Sequence, residues 1–239
     1  MHSSKTVVIT GASSGIGLAL ATAFVAAGAN VVANARRATE TRTLTPSPRL
    51  VLVDGDIASP AVAAKVIDAA DRFGGVDLLI NNAGVFIPKP FTQYTSDDIT
   101  ALFSTNLTGF FHVTQAAVKR MQARKTGHVV TITTSLADQP IAGVGASMPI
   151  LTKGGLNAVT KALAIEHAAE GIRFNAVAPG IIDTPMHKAE SHDFLRKLHP
   201  IARLGMTAEI VDAVMFLDRA PFVSGEVLHV DGGAHAGRW

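Results

Sequence analysis

The 239 residues are 48% hydrophobic and 17% charged, enough apolar content to bury one sizeable α/β core and too little charge for a disordered chain. A net charge of +2 from scattered lysines and arginines does not favour nucleic acid, and zero cysteines exclude disulfides and thiolate metal sites. The chain passes from Met1-His2-Ser3-Ser4-Lys5 straight into an apolar strand, and no apolar run reaches spanning length. The expectation is therefore no signal peptide, no membrane segment and a cytoplasmic setting.

The first strand, Thr6–Ile9, enters Thr10-Gly11-Ala12-Ser13-Ser14-Gly15-Ile16-Gly17, and an alanine-rich helix follows over Leu18–Ala27. In this strand–turn–helix setting Gly11 permits the tight turn, Gly15 admits a phosphate to the backbone and Gly17 lets helix and strand pack closely. Ile16, Leu20, Phe24 and Ala27 form the helix's apolar stripe, and Gly28 stops it. The second strand, Val31–Ala35, ends in Arg36-Arg37. A dinucleotide site reads the adenosine ribose about 20 residues past its glycines, with an acid for NAD or an arginine for the 2′-phosphate of NADP. Neutral Ala35 followed by two guanidiniums points to NADP(H); a solvated arginine pair is the alternative.

A polar connection, Ala38–Pro48, leads to strand Leu50–Val53 and Asp54-Gly55-Asp56-Ile57, with Ser59 and Pro60 opening the next helix. Val76–Ile80 reads as a strand buried on both faces and ends in Asn81-Asn82-Ala83-Gly84. Helices follow from about Ser96 to Arg124, a strand over His128–Thr133, a helix from about Pro149 to Ala169 and a strand over Ile172–Ala178. A helix near Thr207–Leu217 and the strand Val227–Val230 complete the pattern. Alternating β and α with apolar strands implies a single Rossmann-type doubly wound parallel sheet of about seven strands, helices on both faces, with residues 1–239 as one domain.

The TGASSGIG turn, Asp56-Ile57, the NNAG segment at Asn81–Gly84, Asn106, Ser135, Lys153, Pro179-Gly180 with Thr184, and Asp231-Gly232-Gly233 occur in one order along the chain. In them the sequence resembles a classical short-chain dehydrogenase/reductase over essentially its whole length. The resemblance implies that Gly11, Ser13, Ser14, Gly15, Ile16 and Gly17 hold the cofactor phosphates, beside Arg36 and Arg37. It further implies that Asp56 and Ile57 contact the adenine, and that Asn82, Ala83 and Gly84 line the adenosine ribose. Ile182 with Thr184 would hold the nicotinamide carboxamide, Pro179 and Gly180 would also bind the cofactor, and Lys153 would hold the nicotinamide ribose. Asn82 and Asp231 also have a plainer reading, as residues that tie turns together.

The family moves a hydride between nicotinamide and a carbonyl or alcohol carbon. Its acid/base tyrosine stands four residues before the lysine, where one helical turn brings both side chains to one face and the ammonium lowers the phenol pKa. Catalytic roles then fall to Asn106, Ser135 and Lys153, but the residue four before Lys153 is Pro149. The chain's single tyrosine, Tyr94, lies far upstream. Pro149 suits a first helical turn, with Ser147 as the expected cap. Substitute proton donors rank as Lys153 through a water, then Ser147, Asp138 and Tyr94. Ser135 stands one residue further from position 149 than the family spacing, and Thr134 is weighed as an alternative for the serine's place.

The expected substrate is a small carbonyl or alcohol compound, bound at the carboxyl ends of the strands under a lid over about 185–205. In that lid Phe194, Leu195 and Leu198 form a stripe. His187, His192 and His199 lack metal-ligand spacing and read as solvated side chains. The helix around Thr108–Val118 and the apolar C-terminal end through Trp239 resemble the surfaces that build the family's homotetramers, so a tetramer or dimer is expected. Two functions stand: an NADP(H)-dependent oxidoreductase with a non-standard proton donor, or an NADP(H)-binding pseudoenzyme with a sensor or structural role.

Overall fold

A computed structural model describes residues 4–41, 43–187 and 191–237. Seven parallel strands form one sheet: β1 (Thr6–Thr10), β2 (Asn30–Ala35), β3 (Leu50–Asp54), β4 (Leu78–Asn81), β5 (Gly127–Ile132), β6 (Ile172–Pro179) and β7 (Val227–Val230). Their order is β3-β2-β1-β4-β5-β6-β7. The order reverses between β1 and β4, and the carboxyl ends of those two strands mark the switch point where such folds open a crevice.

Because successive strand residues point to opposite faces, the apolar runs feed two cores. Val7, Ile9, Val31, Ile80 and Val177 face helices α1 (Gly15–Ala26) and α6 (Thr207–Arg219), with Leu20, Phe24, Ile210 and Leu217. Val8, Val32, Leu79, Val129 and Phe174 face the other way. There Val66 and Ile67 of α2 (Pro60–Asp71) and Val113, Ala117 and Met121 of α4 (Gly109–Arg124) complete the packing.

Several boundaries differ from the sequence expectation. β4 begins at Leu78; Asp77 just before it still bonds Thr6 and His128 through its backbone, and its carboxylate accepts from the Thr6 amide (2.8 Å) and from Arg124 Nη2 (2.5 Å). Ala27 is exposed; Ala21 takes its place on the buried stripe of α1. Ser59 stands at the cap position of α2 without a side-chain cap bond. Helix α3 (Ser96–Phe103) runs into a π-helical turn, Ser104–Thr108, before α4. Helix α5 covers Ser147–Glu166, so Ser147 is its first helical residue and Ala146 its cap.

Candidate active site

The glycine turn is held open from below. Thr10 Oγ1, at the end of β1, accepts from the amides of Asn82 (3.1 Å) and Ala83 (3.0 Å), just past β4. Asn82 Nδ2 returns to the carbonyls of Thr10 (3.0 Å) and Gly11 (3.1 Å). Asn34, buried at the end of β2, adds a second brace: its carbonyl accepts from the Ala12 amide (2.9 Å) while its side chain bonds Val53 and Gly55 carbonyls. A Cβ at Gly11 (φ 66°) would lie 2.8 Å from Ala83 Cα, and one at Gly17 only 2.3 Å from the Gly11 carbonyl oxygen and 2.4 Å from Asn82 Nδ2. Glycine is therefore demanded by contact at both positions, and at Gly11 by conformation as well. Ser14 caps α1 with extended backbone and no side-chain bond, so no capping side chain occupies the amides of the helix's first turn.

At the end of β2, Arg36 and Arg37 are both exposed. Arg37 pairs loosely with Glu40 (3.4 Å), a surface contact of little energy, and Arg36 has no ion pair among the described residues. Asp56 is exposed, and its carboxylate accepts from the Ala58 amide (2.9 Å). Ile57 is buried, and a Cβ at Gly109 would lie 2.8 Å from its Cγ2.

Three residues carry the chain from this turn to the lysine. Asn82 grips the turn, Ala83 follows, and a Cβ at Gly84 would stand 3.3 Å from Asn106 Oδ1 and 3.8 Å from Lys153 Nζ. Asn106 lies in the π-helical turn, 2% exposed. Its Oδ1 accepts from the Val85 amide (2.8 Å), and its Nδ2 donates to the Val85 carbonyl (3.1 Å) and Thr152 Oγ1 (3.0 Å). Thr152 in turn lies within donating distance of the Pro149 carbonyl (3.1 Å). Lys153 is half-buried and donates to the Thr133 carbonyl (3.0 Å); burial without a carboxylate partner pushes its ammonium down to about 8.

Pro149 is buried as the third residue of α5 and carries no proton to give. Tyr94 is engaged elsewhere: its hydroxyl donates to the Ile87 carbonyl (2.7 Å). Asp138 accepts from His229 Nε2 (2.8 Å), and Ser147 is exposed. Ser135 is buried at the start of a short 3-10 turn, whereas the Thr134 hydroxyl caps that turn by accepting from the Leu136 amide (3.4 Å). The turn-capping contact thus belongs to Thr134, while Ser135 is buried beside it.

Beyond β6, Ile182 is buried and bridges to Gly205, and Thr184 lies 3.3 Å from where a Cβ on Gly15 would be. Asp231 ties the last turn together through the Gly233 and His235 amides (3.0 and 2.8 Å). The lid expectation needs one correction. Phe194 is exposed, with Leu195 and Leu198 half-buried, but His199 is not a solvated side chain: it is buried, and its Nε2 accepts from the Ile181 amide (2.9 Å). Residues 188–190 of that lid lie outside the described residues, as do Arg42 and Trp239. Asn34, Thr152 and His199 had no motif to announce them, since each is defined by a tertiary contact.

Sheet order, turn and braced crevice define a Rossmann-type α/β protein. A family model described as enoyl-(acyl carrier protein) reductase matches residues 11–235. The 3-oxoacyl-(acyl-carrier-protein) reductase FabG of Salmonella typhimurium is 34% identical over 97% of this chain and 97% of its own. Among solved structures, ElxO with NADP bound shares 28% identity at a TM-score of 0.90, covering 98% of this chain and 100% of that one. A Brucella melitensis 3-ketoacyl-(acyl-carrier-protein) reductase complexed with NADH also shares 28% at a TM-score of 0.89, covering 97% and 98%. The chain belongs to the short-chain dehydrogenase/reductase family, a family of oxidoreductases.

Proposed function

We propose that the protein is an NADP(H)-dependent oxidoreductase acting on a small carbonyl or alcohol compound, with Lys153 at the centre of a non-standard proton path. One observation carries this reading: Asn82–Gly84 joins the glycine turn directly to Asn106 and Lys153. A phosphate-type cradle and a low-basicity amine thereby share one crevice. The uncapped start of α1, with Gly11, Ser13, Ser14, Gly15, Ile16 and Gly17, fits a pyrophosphate, and solvent-facing Arg36 and Arg37 fit a 2′-phosphate. Asp56, Ile57, Asn82, Ala83 and Gly84 would flank the adenosine, and Pro179, Gly180, Ile182 and Thr184 the nicotinamide. When bound, the cofactor supplies the hydride. The chain's own share is to orient the reacting oxygen with the Ser135 hydroxyl and to move a proton at Lys153 Nζ. Asn106 fixes the floor beneath by clamping Val85 and Thr152.

With an ammonium held near 8, both forms of Lys153 are populated around neutrality, which a proton-transfer group requires. A panel of ketones, aldehydes and secondary alcohols should give turnover with NADPH or NADP, and Lys153→Ala should abolish it. Turnover unchanged by that substitution would remove Lys153 from the mechanism.

NADPH should bind at least about tenfold tighter than NADH, about 1.4 kcal/mol. The double variant Arg36→Ala with Arg37→Ala should erase the gap by weakening NADPH alone. Equal affinities in the parent protein would end the NADP assignment.

The buried Pro149 supports a second reading, a pseudoenzyme that binds NADP(H) as a sensed or structural ligand. Under it the panel gives no turnover while the cofactor still binds. Among the described residues no helix is long and apolar enough to cross a membrane. Half-exposed Phe111 on α4 and strongly exposed Ile165 on α5 support a homo-oligomer, dimer or tetramer, consistent with a cytoplasmic enzyme.

A further inference from the structure

His199 sits where three loops meet. A Cβ at Gly180, just past β6, would lie 2.5 Å from His199 Nε2 and 2.9 Å from Asp231 Cα, and one at Gly232, past β7, would lie 3.5 Å from His199 Cβ. The imidazole is 4% exposed. Its Nε2 accepts from the Ile181 amide at 2.9 Å, so the ring is neutral with its proton on Nδ1. The Ile181 carbonyl is held from the other side by the Gly205 amide (2.9 Å), and Asp183 donates its amide to the Gly205 carbonyl (2.8 Å). The segment pinned this way continues to Thr184, which rests against Gly15 of the glycine turn.

We infer that His199 is a positioning residue for the cofactor: its neutral ring tethers Ile181 and so fixes the 181–184 segment against the glycine turn, and a proton on Nε2 releases it. This rests on the nicotinamide reading above. A charged imidazole has two donors and no acceptor, so it cannot coexist with the Ile181 amide pointing at it.

The surroundings set the sign. Burial holds the basicity of His199 below the ordinary histidine value of 6.5, and the Arg203 guanidinium adds to that lowering. The Asp231 carboxylate and the Arg203 carbonyl pull the other way. Both charged groups are engaged elsewhere, Asp231 with His235 and Arg203 with Glu209. A depressed histidine leaves the tether intact above the ordinary range and loses it as pH falls through the lowered value. His187 and His192 belong to the same lid, and burial lowers His187 as well. A test must therefore isolate position 199.

The experiment compares the parent, His199→Gln and His199→Leu at about pH 8 and about pH 5. It reads NADPH affinity by titration, and protection of the Ile181 amide by hydrogen exchange corrected for intrinsic rate. Glutamine offers a carbonyl acceptor that does not titrate; leucine offers none. In the parent, affinity should fall between the two conditions about tenfold more than in His199→Gln, alongside loss of Ile181 protection. His199→Leu should bind weakly at both pH values. Identical pH dependence in the parent and His199→Gln overturns the inference. So does lost Ile181 protection with unchanged affinity, which leaves the cofactor reading standing. No dinucleotide binding under any condition defeats the cofactor reading and the positioning role together, and the exchange data then show whether the tether itself forms.

Discussion

Pro149→Tyr should raise carbonyl reduction by about 10²- to 10⁴-fold, the contribution typical of a positioned general acid. Residues 149 and 153 are one helical turn apart on α5, so a phenol there faces Lys153, whose ammonium favours the phenolate. The backbone tolerates the exchange. As the third residue of the helix, position 149 has an amide with no intrahelical acceptor, so proline there confers little that tyrosine would lose. The cost is packing: Pro149 is buried, and a larger ring adds a strain of about 1–3 kcal/mol unless it turns into the crevice. Pro149→Phe isolates that cost, since it supplies the ring without the acid. The gain should vanish when Pro149→Tyr is combined with Lys153→Ala. Rates equal in Pro149→Tyr and Pro149→Phe, with both proteins folded by circular dichroism and binding cofactor, would show that the missing phenol does not limit this chain.

Gly17→Ala should be strongly damaging for a single added methyl. The added carbon would meet the Gly11 carbonyl at 2.3 Å and Asn82 Nδ2 at 2.4 Å, the first backbone and the second a side-chain amide held by two hydrogen bonds. Relief requires moving the turn or giving up the bonds from Asn82 to the Thr10 and Gly11 carbonyls. Overpacking at about 1–3 kcal/mol and two hydrogen bonds at about 1 kcal/mol each outweigh the gain of about 1 kcal/mol from alanine in a helix. The melting temperature should fall by several degrees, at roughly 2–4 °C per kcal/mol for a chain of this size, and dinucleotide affinity should fall with it. Gly155→Ala is the matched control: it lies within α5, exposed, with nothing within 4 Å of the new carbon. There the helix gain of about 1 kcal/mol stands alone and the protein should melt higher. A Gly17→Ala protein that melts with the parent would contradict the close packing described for the turn.

These two positions differ in how they could be read from the residues alone. Gly17 was legible because a strand, a glycine cluster and an amphipathic helix occur in one window, and their periodicities are local properties. The same locality made the sheet legible, since Val7, Ile9 and Val8 divide between two cores by simple alternation. Pro149 was legible only against a family pattern. What escaped was set by contacts between distant segments. The Asp77 carboxylate before β4 is claimed by Thr6 and Arg124, which lie far from it along the chain. His199 carries no sign in its neighbours that Ile181 will bury it, and a lid sequence of mixed polarity reads as solvated.

The π-helical turn at Ser104–Thr108 has a consequence for chain length. One extra residue per turn shifts everything after it by about 100° around the helix axis. Within the turn Asn106 must face Val85 and Thr152; after it Val113, Ala117 and Met121 must face the sheet. Only a helix with two rotational phases meets both demands. Substitution can drift through this stretch, but insertion or deletion of a single residue cannot, because it would rotate either the crevice or the core out of alignment. The spacing between Asn106 and α4 is thus under tighter constraint than the identity of most residues that fill it.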